Sequence, residues 1–111
     1  MEHSIERSGD AIIVSAKGRV DESKWEAFGA FLSKGIEQTT QLALATVIID
    51  LAGLDYMSSR GLRVLTVAKR QGDQAGVAVR LAAPNKVMRE ILSISRYDKL
   101  FTILDSIDNR P

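Results

Sequence analysis

The N-terminal part of the chain alternates apolar and polar residues with the short period of β-strands. Residues 5–7 and 11–17 have this pattern, and the Ser-Gly-Asp sequence at 8–10 predicts a hairpin turn between them. Residues 18–21, Gly-Arg-Val-Asp, break the alternation, so we expect the strand pattern to stop there.

A helical pattern begins at Glu22 and continues to about Gln38. Its apolar residues recur at spacings of three and four, which places them on one helix face. These residues are Trp25, Phe28, Leu32 and Ile36. Asp21 is the expected N-cap, with Ser23 as the alternative, because both side chains can accept a hydrogen bond from a free backbone N–H group.

Residues 45–51 form an unbroken run of β-branched and apolar side chains that ends in Asp-Leu. Such a run is typical of a strand buried on both faces, at the centre of a mostly parallel sheet. We expect residues 52–57 to form the loop that follows. A second helix then begins, capped by Ser58 or Ser59 and ended by Gly76.

The C-terminal third continues the alternation of strands and helices. Residues 77–83 predict a strand, Pro-Asn at 84–85 opens a third helix, and residues 100–104 predict a last short strand or turn. The tail from 106 to 111 could add one helical turn. Because strands that alternate with helices imply crossover connections, we expect an α/β fold. The whole chain, residues 1–111, should be one domain with a mixed, mostly parallel sheet of about four or five strands and about four α-helices.

Composition narrows the classes of function. The chain has 45% apolar and 26% charged residues and a net charge of +1, as globular domains do. No basic stripe with interleaved aromatic residues is present, so we expect no nucleic-acid binding. The chain contains no cysteine, which excludes disulfides and removes the commonest zinc ligand. No segment approaches the roughly 20 apolar residues of a membrane span, and residues 1–10 are too polar for a signal peptide, so we expect a cytoplasmic location without membrane insertion.

The sequence also argues against catalysis by this chain. It has no glycine-rich phosphate loop, no metal-ligand cluster and no pairing of a nucleophile with a base. We therefore expect neither a cofactor nor an enzyme activity.

The most informative stretch is Asp-Leu-Ala-Gly-Leu-Asp-Tyr-Met-Ser-Ser-Arg-Gly-Leu-Arg at 50–63. A buried strand leads through a loop to a helix that begins with two serines, and open α/β sheets bind ligands at this end of their strands. A phosphate on such a serine adds about −1.5 to −2 charges, which the free N–H groups and the dipole of a helix N-terminus favour. The simpler interpretation is that the serines only cap the helix.

Other residues near these serines also admit two interpretations. Gly61, in the first helical turn, indicates either close packing of the helix on a strand or close approach by another protein. Asp21, Asp50 and Asp55 could orient a serine, or they could cap a helix, end a strand and lie in a turn. On the second helix, the sequence does not decide whether Val64 and Val67 are core residues or exposed contacts. Arg60, Arg63, Lys69 and Arg70 could bind acidic groups of a partner or form a solvated face.

Residues 47–63, and the Tyr-Met-Ser-Ser-Arg-Gly-Leu-Arg sequence at 56–63 in particular, resemble the STAS family of anti-sigma factor antagonists. In that family a strand ending in Asp-Leu leads to a serine-rich loop and Gly-Leu. The phosphoacceptor is the Ser or Thr two positions before the glycine, which is Ser59 here. Many members have Asp directly before the acceptor, whereas this chain has Ser58, so Ser58 remains the alternative acceptor.

The resemblance extends over nearly the whole chain. The Gly-Arg-Val-Asp sequence at 18–21 is similar to the Gly-x-x-Asp turn that, in the family, places the aspartate beside the phosphorylation loop. Residues 91–101 resemble the last helix and closing strand. A STAS-like fold is therefore implied.

The resemblance implies that the protein switches partners. The unphosphorylated domain would bind an anti-sigma factor that is also an ATP-dependent serine kinase, and phosphorylation of Ser59 would release it. A metal-dependent phosphatase of the PP2C type would then reset the serine. The residues expected to contact these partners are Asp21, Asp55, Met57, Ser58, Ser59, Arg60, Gly61 and Arg63.

Two alternatives remain open. The same type of domain occurs as an accessory module of membrane transport systems, including lipid transporters, where it would dock on an ATPase subunit without being phosphorylated. A sensor that binds a small ligand or nucleotide at the loop is the other alternative, and the absence of a glycine run for phosphate binding disfavours it.

Overall fold

The computed structural model describes residues 2–107. Strands β1 (His3–Ser8) and β2 (Ala11–Ala16) form the predicted antiparallel hairpin. Gly9, in the two-residue turn, has a φ of 62°, a left-handed value that glycine adopts without steric cost. The hairpin prediction is confirmed.

The main sheet has five strands in the order β1-β2-β4-β6-β7, where β4 is Thr46–Asp50, β6 is Ala78–Ala82 and β7 is Ile103–Leu104. Only the β1–β2 pair is antiparallel, whereas the other three pairs are parallel. The three central side chains of β4 are at most 2% exposed. The continuous apolar run therefore predicted the central strand correctly.

Within residues 2–107, three α-helices follow strands: α1 (Trp25–Gln41), α2 (Ser59–Ala75) and α3 (Lys86–Ile94). All three contribute buried residues to one hydrophobic cluster on one face of the main sheet. A smaller cluster lies on the opposite face, with Leu104 and Ile107 packed against it. The predicted α/β fold with a mostly parallel sheet is confirmed.

The expected number of about four helices is too high for residues 2–107. After α3, Arg96 has a left-handed φ of 65°, which prevents the helix from continuing. Tyr97–Lys99 then forms only a short 3-10 turn. The helical turn expected in the tail extends over residues 108–111, which lie outside the described residues. No helix in the described part of the chain is long and apolar enough to cross a bilayer.

A second, two-stranded parallel sheet lies outside the main one. It consists of β3 (Gly18–Val20) and β5 (Leu54–Met57). The predictions of a strand break at 18–21 and a loop at 52–57 were therefore wrong for these two segments. Each is too short to show a strand period, and each depends for its backbone pairing on a segment remote in sequence.

The start of α1 also differs from the prediction. The helix begins at Trp25 rather than Glu22, and Lys24 at the N-cap position provides no side-chain cap. The Asp21 carboxylate instead accepts hydrogen bonds from the Ser23 N–H at 3.0 Å and the Ser23 hydroxyl at 2.8 Å. The prediction that Asp21 or Ser23 caps α1 is wrong because the two side chains bind each other in the preceding turn.

Candidate functional site

The two short strands bring Asp21 and Ser58 together. Because β3 and β5 are parallel and Val20 lies opposite Met57, the residues that follow them are also neighbours. The Val20 carbonyl accepts a hydrogen bond from the Ser58 N–H at 2.8 Å. The structure thus places Asp21 beside the start of α2, as the family resemblance implied.

Ser58 is the N-cap of α2. Its side-chain oxygen accepts a hydrogen bond from the Gly61 N–H at 3.2 Å, and the residue is only 8% exposed. Such a bond satisfies one of the N–H groups that a helix leaves free at its start. The sequence left the cap open between Ser58 and Ser59, and the structure assigns it to Ser58.

Ser59 is the first residue of α2 and is exposed. Among residues 2–107, no group forms a hydrogen bond with its hydroxyl. A group attached to this oxygen would lie at the N-terminus of α2, where backbone N–H groups and the helix dipole create a positive potential. The two serines therefore differ sharply, although they are adjacent in sequence.

Gly61 allows α2 to pack closely on the small sheet. A Cβ atom on Gly61 would lie 2.5 Å from the Met57 Cγ and 2.8 Å from the Val20 Cγ1, distances that packed atoms do not tolerate. Met57 is 2% exposed. Of the predicted contact residues, Met57 therefore lies beneath the start of α2, and Gly61 lies on the buried face of α2, so both are packing residues.

Arg60 connects the starts of α1 and α2. Its Nε lies 3.4 Å from a Glu22 carboxylate oxygen, and its guanidinium lies 5.3 Å from the centre of the Trp25 ring. The side chains of Arg60 and Glu22 are 62% and 68% exposed, so solvent screening leaves this ion pair a small contribution to stability. Arg63, one turn further along α2, is exposed and forms no ion pair among the described residues.

The three aspartates near the site have different roles. Hydrogen bonds from the hydroxyl and N–H of Ser23 hold the pKa of Asp21 below its usual value. Asp21 is therefore a carboxylate at neutral pH. Asp50 accepts hydrogen bonds from the Ser15 hydroxyl and the Ala52 N–H, both at 3.0 Å, and so terminates β4. Asp55 is exposed on β5.

The residues that hold this site together were not predicted from the sequence. Val20 binds the Ser58 N–H through its carbonyl and packs under Gly61, and Arg19 lies 4.4 Å from the centre of the Tyr56 ring. These contacts follow from the pairing of β3 with β5. No local signal in either segment indicated that pairing.

Comparison with known proteins identifies the class of this domain. The model of the STAS domain family matches residues 3–109, and the chain belongs to this family. The fold and the resemblance seen in the sequence agree with this assignment.

Two relatives in sequence have names that refer to sigma-factor control. BtrV of Bordetella bronchiseptica, provisionally named an anti-sigma factor antagonist, is 26% identical over 106 residues, which cover 96% of this chain and 88% of BtrV. The anti-sigma-F factor antagonist RsfA of Mycobacterium tuberculosis is 24% identical over 100 residues, which cover 90% of this chain and 77% of RsfA.

Solved structures of the anti-sigma factor antagonist SpoIIAA share the fold. The unphosphorylated form gives a TM-score of 0.72 at 19% identity, covering 92% of this chain and 87% of SpoIIAA. The phosphorylated form of SpoIIAA, from Bacillus, gives 0.64 at 20% identity, covering 92% and 90%.

Proposed function

We propose that this protein is an anti-sigma factor antagonist and that phosphorylation of Ser59 controls its binding to an anti-sigma factor. The observation that carries this proposal is the exposed hydroxyl of Ser59 at the first residue of α2, which no group of the described residues binds. The names of BtrV and RsfA support the class of partner. The existence of a phosphorylated form of SpoIIAA supports the type of control.

Burial favours Ser59 over Ser58 as the phosphoacceptor. A phosphate on Ser58 would have to displace the hydrogen bond from the Gly61 N–H and bring a dianion to a residue that is 8% exposed. Burying such a charge without a paired cation costs a desolvation free energy on the order of several kcal/mol. A phosphate on Ser59 needs neither change.

The surroundings of Ser59 favour a folded phosphoprotein. The N–H groups of the first turn and the dipole of α2 attract an anion at this position, typically by about 0.3–1 kcal/mol at an exposed site. Arg63 lies four residues further along α2, within reach of a group on Ser59, and forms no ion pair among the described residues. Phosphorylation therefore changes the surface and leaves the fold in place.

The switch operates on the complex with the partner. The unphosphorylated domain binds an anti-sigma factor that is also a serine kinase. The Ser59 oxygen attacks the γ-phosphorus of ATP, the bond to the β-phosphate breaks, ADP leaves, and the hydroxyl proton passes to a base of the kinase. The new dianion then repels acidic groups of the partner and must be desolvated in the interface. A loss of about 2.7 kcal/mol is sufficient for a hundredfold weaker complex.

The exposed and partly exposed residues around Ser59 define the proposed contact surface. They are Asp55, Ser59, Arg60 and Arg63, which are exposed, and Asp21, which is partly exposed. Ser58, Met57 and Gly61 remain part of the site through capping and packing. A PP2C-type phosphatase hydrolyses the phosphoserine at the same surface and restores the first state.

Incubation with a candidate anti-sigma kinase and ATP, followed by mass spectrometric mapping of the phosphate, tests the proposal. We expect one phosphate, on Ser59, and no labelling of Ser59→Ala. Ser58→Ala is the matched control and should still be labelled. Labelling that disappears in Ser58→Ala but persists in Ser59→Ala contradicts the assignment. A chain that binds a transporter ATPase subunit, and that no kinase labels, contradicts the proposal as a whole.

A further inference from the structure

A groove of about 680 Å³ runs between α1 and α2 and reaches the start of α2. Its residues are Trp25, Glu26, Gly29, Ala30, Ser33, Arg60, Arg63, Val64, Val67, Ala68 and Gln71. The two helices are parallel, since Trp25 is near Arg60 at one end and the Ser33 hydroxyl binds Gln71 at 2.9 Å further along. The groove is therefore an open channel between two helices, and Arg60, the residue after Ser59, lies at one end.

The glycine in the floor of the groove is not required for packing. A Cβ atom on Gly29 would lie 3.6 Å from the Val64 methyl groups, which is an ordinary contact. By contrast, a Cβ atom on Gly35 of the same helix would collide with Val14 Cγ1. Glycine inside a helix costs roughly 0.5–1 kcal/mol relative to alanine. Because Gly29 has no side chain, the groove is deeper at this position.

The α2 side of the groove combines an exposed apolar residue with arginines. Val67 is 53% exposed, although Val64 one turn earlier is buried. Arg63, Val67 and Arg70 lie at i, i+4 and i+7 and so form one stripe along α2. Neither Arg63 nor Arg70 has an ion pair within the described part of the chain. The stripe therefore offers apolar surface between two unpaired positive charges.

We propose that this groove binds an amphipathic helix of the anti-sigma partner, with an apolar face on Val67 and acidic residues opposite Arg63 in the groove and Arg70 beside it. A concave groove between two helices accepts the ridge of a third helix. Charge complementarity selects an acidic one, with carboxylates about two turns, or roughly 10 Å, apart. A second copy of this chain that met it groove to groove would fit poorly, because it would present another concave groove and another row of arginines.

The groove also connects partner binding to phosphorylation, a step that rests on the proposed function. Ser59 precedes Arg63 by four residues, a spacing that places the two side chains on the same helix face. A phosphate on Ser59 would form charge-assisted hydrogen bonds with Arg63 and compete with the acidic residues of the partner. It would also repel them directly, so one modification weakens binding in two ways.

Two matched surface substitutions test the groove. The probe is the candidate anti-sigma kinase used to test the proposed function, without nucleotide, and the readout is the dissociation constant from calorimetry. Val67→Asp, which puts a negative charge in the groove, should weaken binding at least tenfold. Val87→Asp changes a valine that is 50% exposed on α3 and should alter binding less than twofold. Circular dichroism establishes that both variants are folded.

Cross-linking identifies the segment that occupies the groove. Because the chain has no cysteine, Val67→Cys and Val87→Cys each carry a single benzophenone-maleimide label. We expect cross-links from position 67 to a helical segment of the kinase that has acidic residues beside an apolar face. Cross-links to a strand or to a basic segment overturn the inference, as do cross-links from position 87 alone.

The outcomes separate the two proposals. If Ser59 is labelled while Val67→Asp binds as tightly as the unmodified chain, the groove is wrong and the proposed switch stands. If Val67→Asp abolishes binding and no phosphate appears on Ser59, the groove is a binding site as proposed, and the proposed phosphorylation switch is wrong. If the kinase does not bind the unmodified chain at all, both are overturned.

Discussion

The starts of α1 and α2 lie side by side, and Arg60 connects them, yet they are built in different ways. Strand β5 leads directly into α2. The Ser58 N–H donates to the Val20 carbonyl, and the Ser58 side-chain oxygen caps the helix. An exposed turn leads into α1, where the Asp21 carboxylate binds Ser23 and no side chain caps the helix. Two helix starts with similar polar residues therefore differ in which groups remain free.

The difference shows what makes a helix start suitable for a covalent anion. At α2 the buried neighbour satisfies the cap, and the next hydroxyl is exposed and unbonded. At α1 the Asp21 carboxylate binds both the N–H and the hydroxyl of Ser23, so this hydroxyl is already occupied. We infer that the start of α2 can be modified without loss of the helix, because one serine caps the helix and the next serine is exposed.

The largest effect on stability should come from the close packing under α2. Gly61→Ala places a methyl group 2.5 Å from the Met57 Cγ and 2.8 Å from the Val20 Cγ1, and overpacking of this kind costs about 1–3 kcal/mol. Gly29→Ala is the matched control on α1 and should be neutral or stabilising by up to about 1 kcal/mol. Urea unfolding measures both. Equal stability of the two variants would show that α2 is not packed as closely as described.

The two serines should differ by about 1 kcal/mol in their contribution to stability. Ser58→Ala removes the oxygen that accepts the Gly61 N–H, and loss of an N-cap costs about 0.5–2 kcal/mol. Ser58→Asp retains an acceptor and should recover most of this loss. Ser59→Ala should stay within about 0.5 kcal/mol of the unmodified chain. A larger loss from Ser59→Ala than from Ser58→Ala would reverse the assignment of the cap.

Loss of the Arg60–Trp25 contact between the two helix starts should change the fluorescence more than the stability. Trp25 is the only tryptophan of the chain, and the Arg60 guanidinium lies 5.3 Å from the centre of its ring. Arg60→Ala should change the emission of Trp25 while costing at most about 1 kcal/mol. Arg89→Ala breaks another exposed ion pair, between α3 and Asp105 after β7, and should leave the emission unchanged. An unchanged emission in Arg60→Ala argues against the contact.

The smallest effect should be the pH dependence that Asp21 contributes. Its pKa in the folded chain is lowered from 3.8 by the hydrogen bonds from Ser23, so the unfolded chain binds its proton more readily. The stabilisation is therefore complete above pH 3.8 and is lost as the pH falls through the lowered pKa. Asp21→Asn should reduce the acid sensitivity of unfolding slightly, whereas Asp55→Asn serves as the control. If the stability of Asp21→Asn fell with decreasing pH as steeply as that of the unmodified chain, this would contradict the role of the hydrogen bonds from Ser23.

The sequence predicted those parts of the fold that are long enough to show a period. The β1–β2 hairpin, the buried β4 strand and the three helices all follow from hydrophobic spacing and turn residues. Strands β3 and β5 did not, because a segment of three or four residues shows no period and gains its structure from a remote partner. The same pairing produced the contacts of Val20.

For the candidate site, the sequence indicated the segment but not the state of each side chain. Motif and resemblance together pointed to Ser59, and only burial separates it from Ser58 physically. The same holds for Val64 and Val67, one buried and one 53% exposed. Whether a residue on the margin of a helix face is covered depends on the neighbouring helix, and the sequence of α2 alone does not contain that information.

The most direct test compares the complex before and after modification of a single oxygen. Protein phosphorylated stoichiometrically on Ser59 and unmodified protein are titrated into the kinase by calorimetry, and the thermal unfolding of both is recorded. We expect the phosphorylated protein to unfold cooperatively within a few degrees of the unmodified protein, and to bind at least tenfold more weakly. Equal affinities, or a phosphorylated chain that no longer folds, would contradict the account.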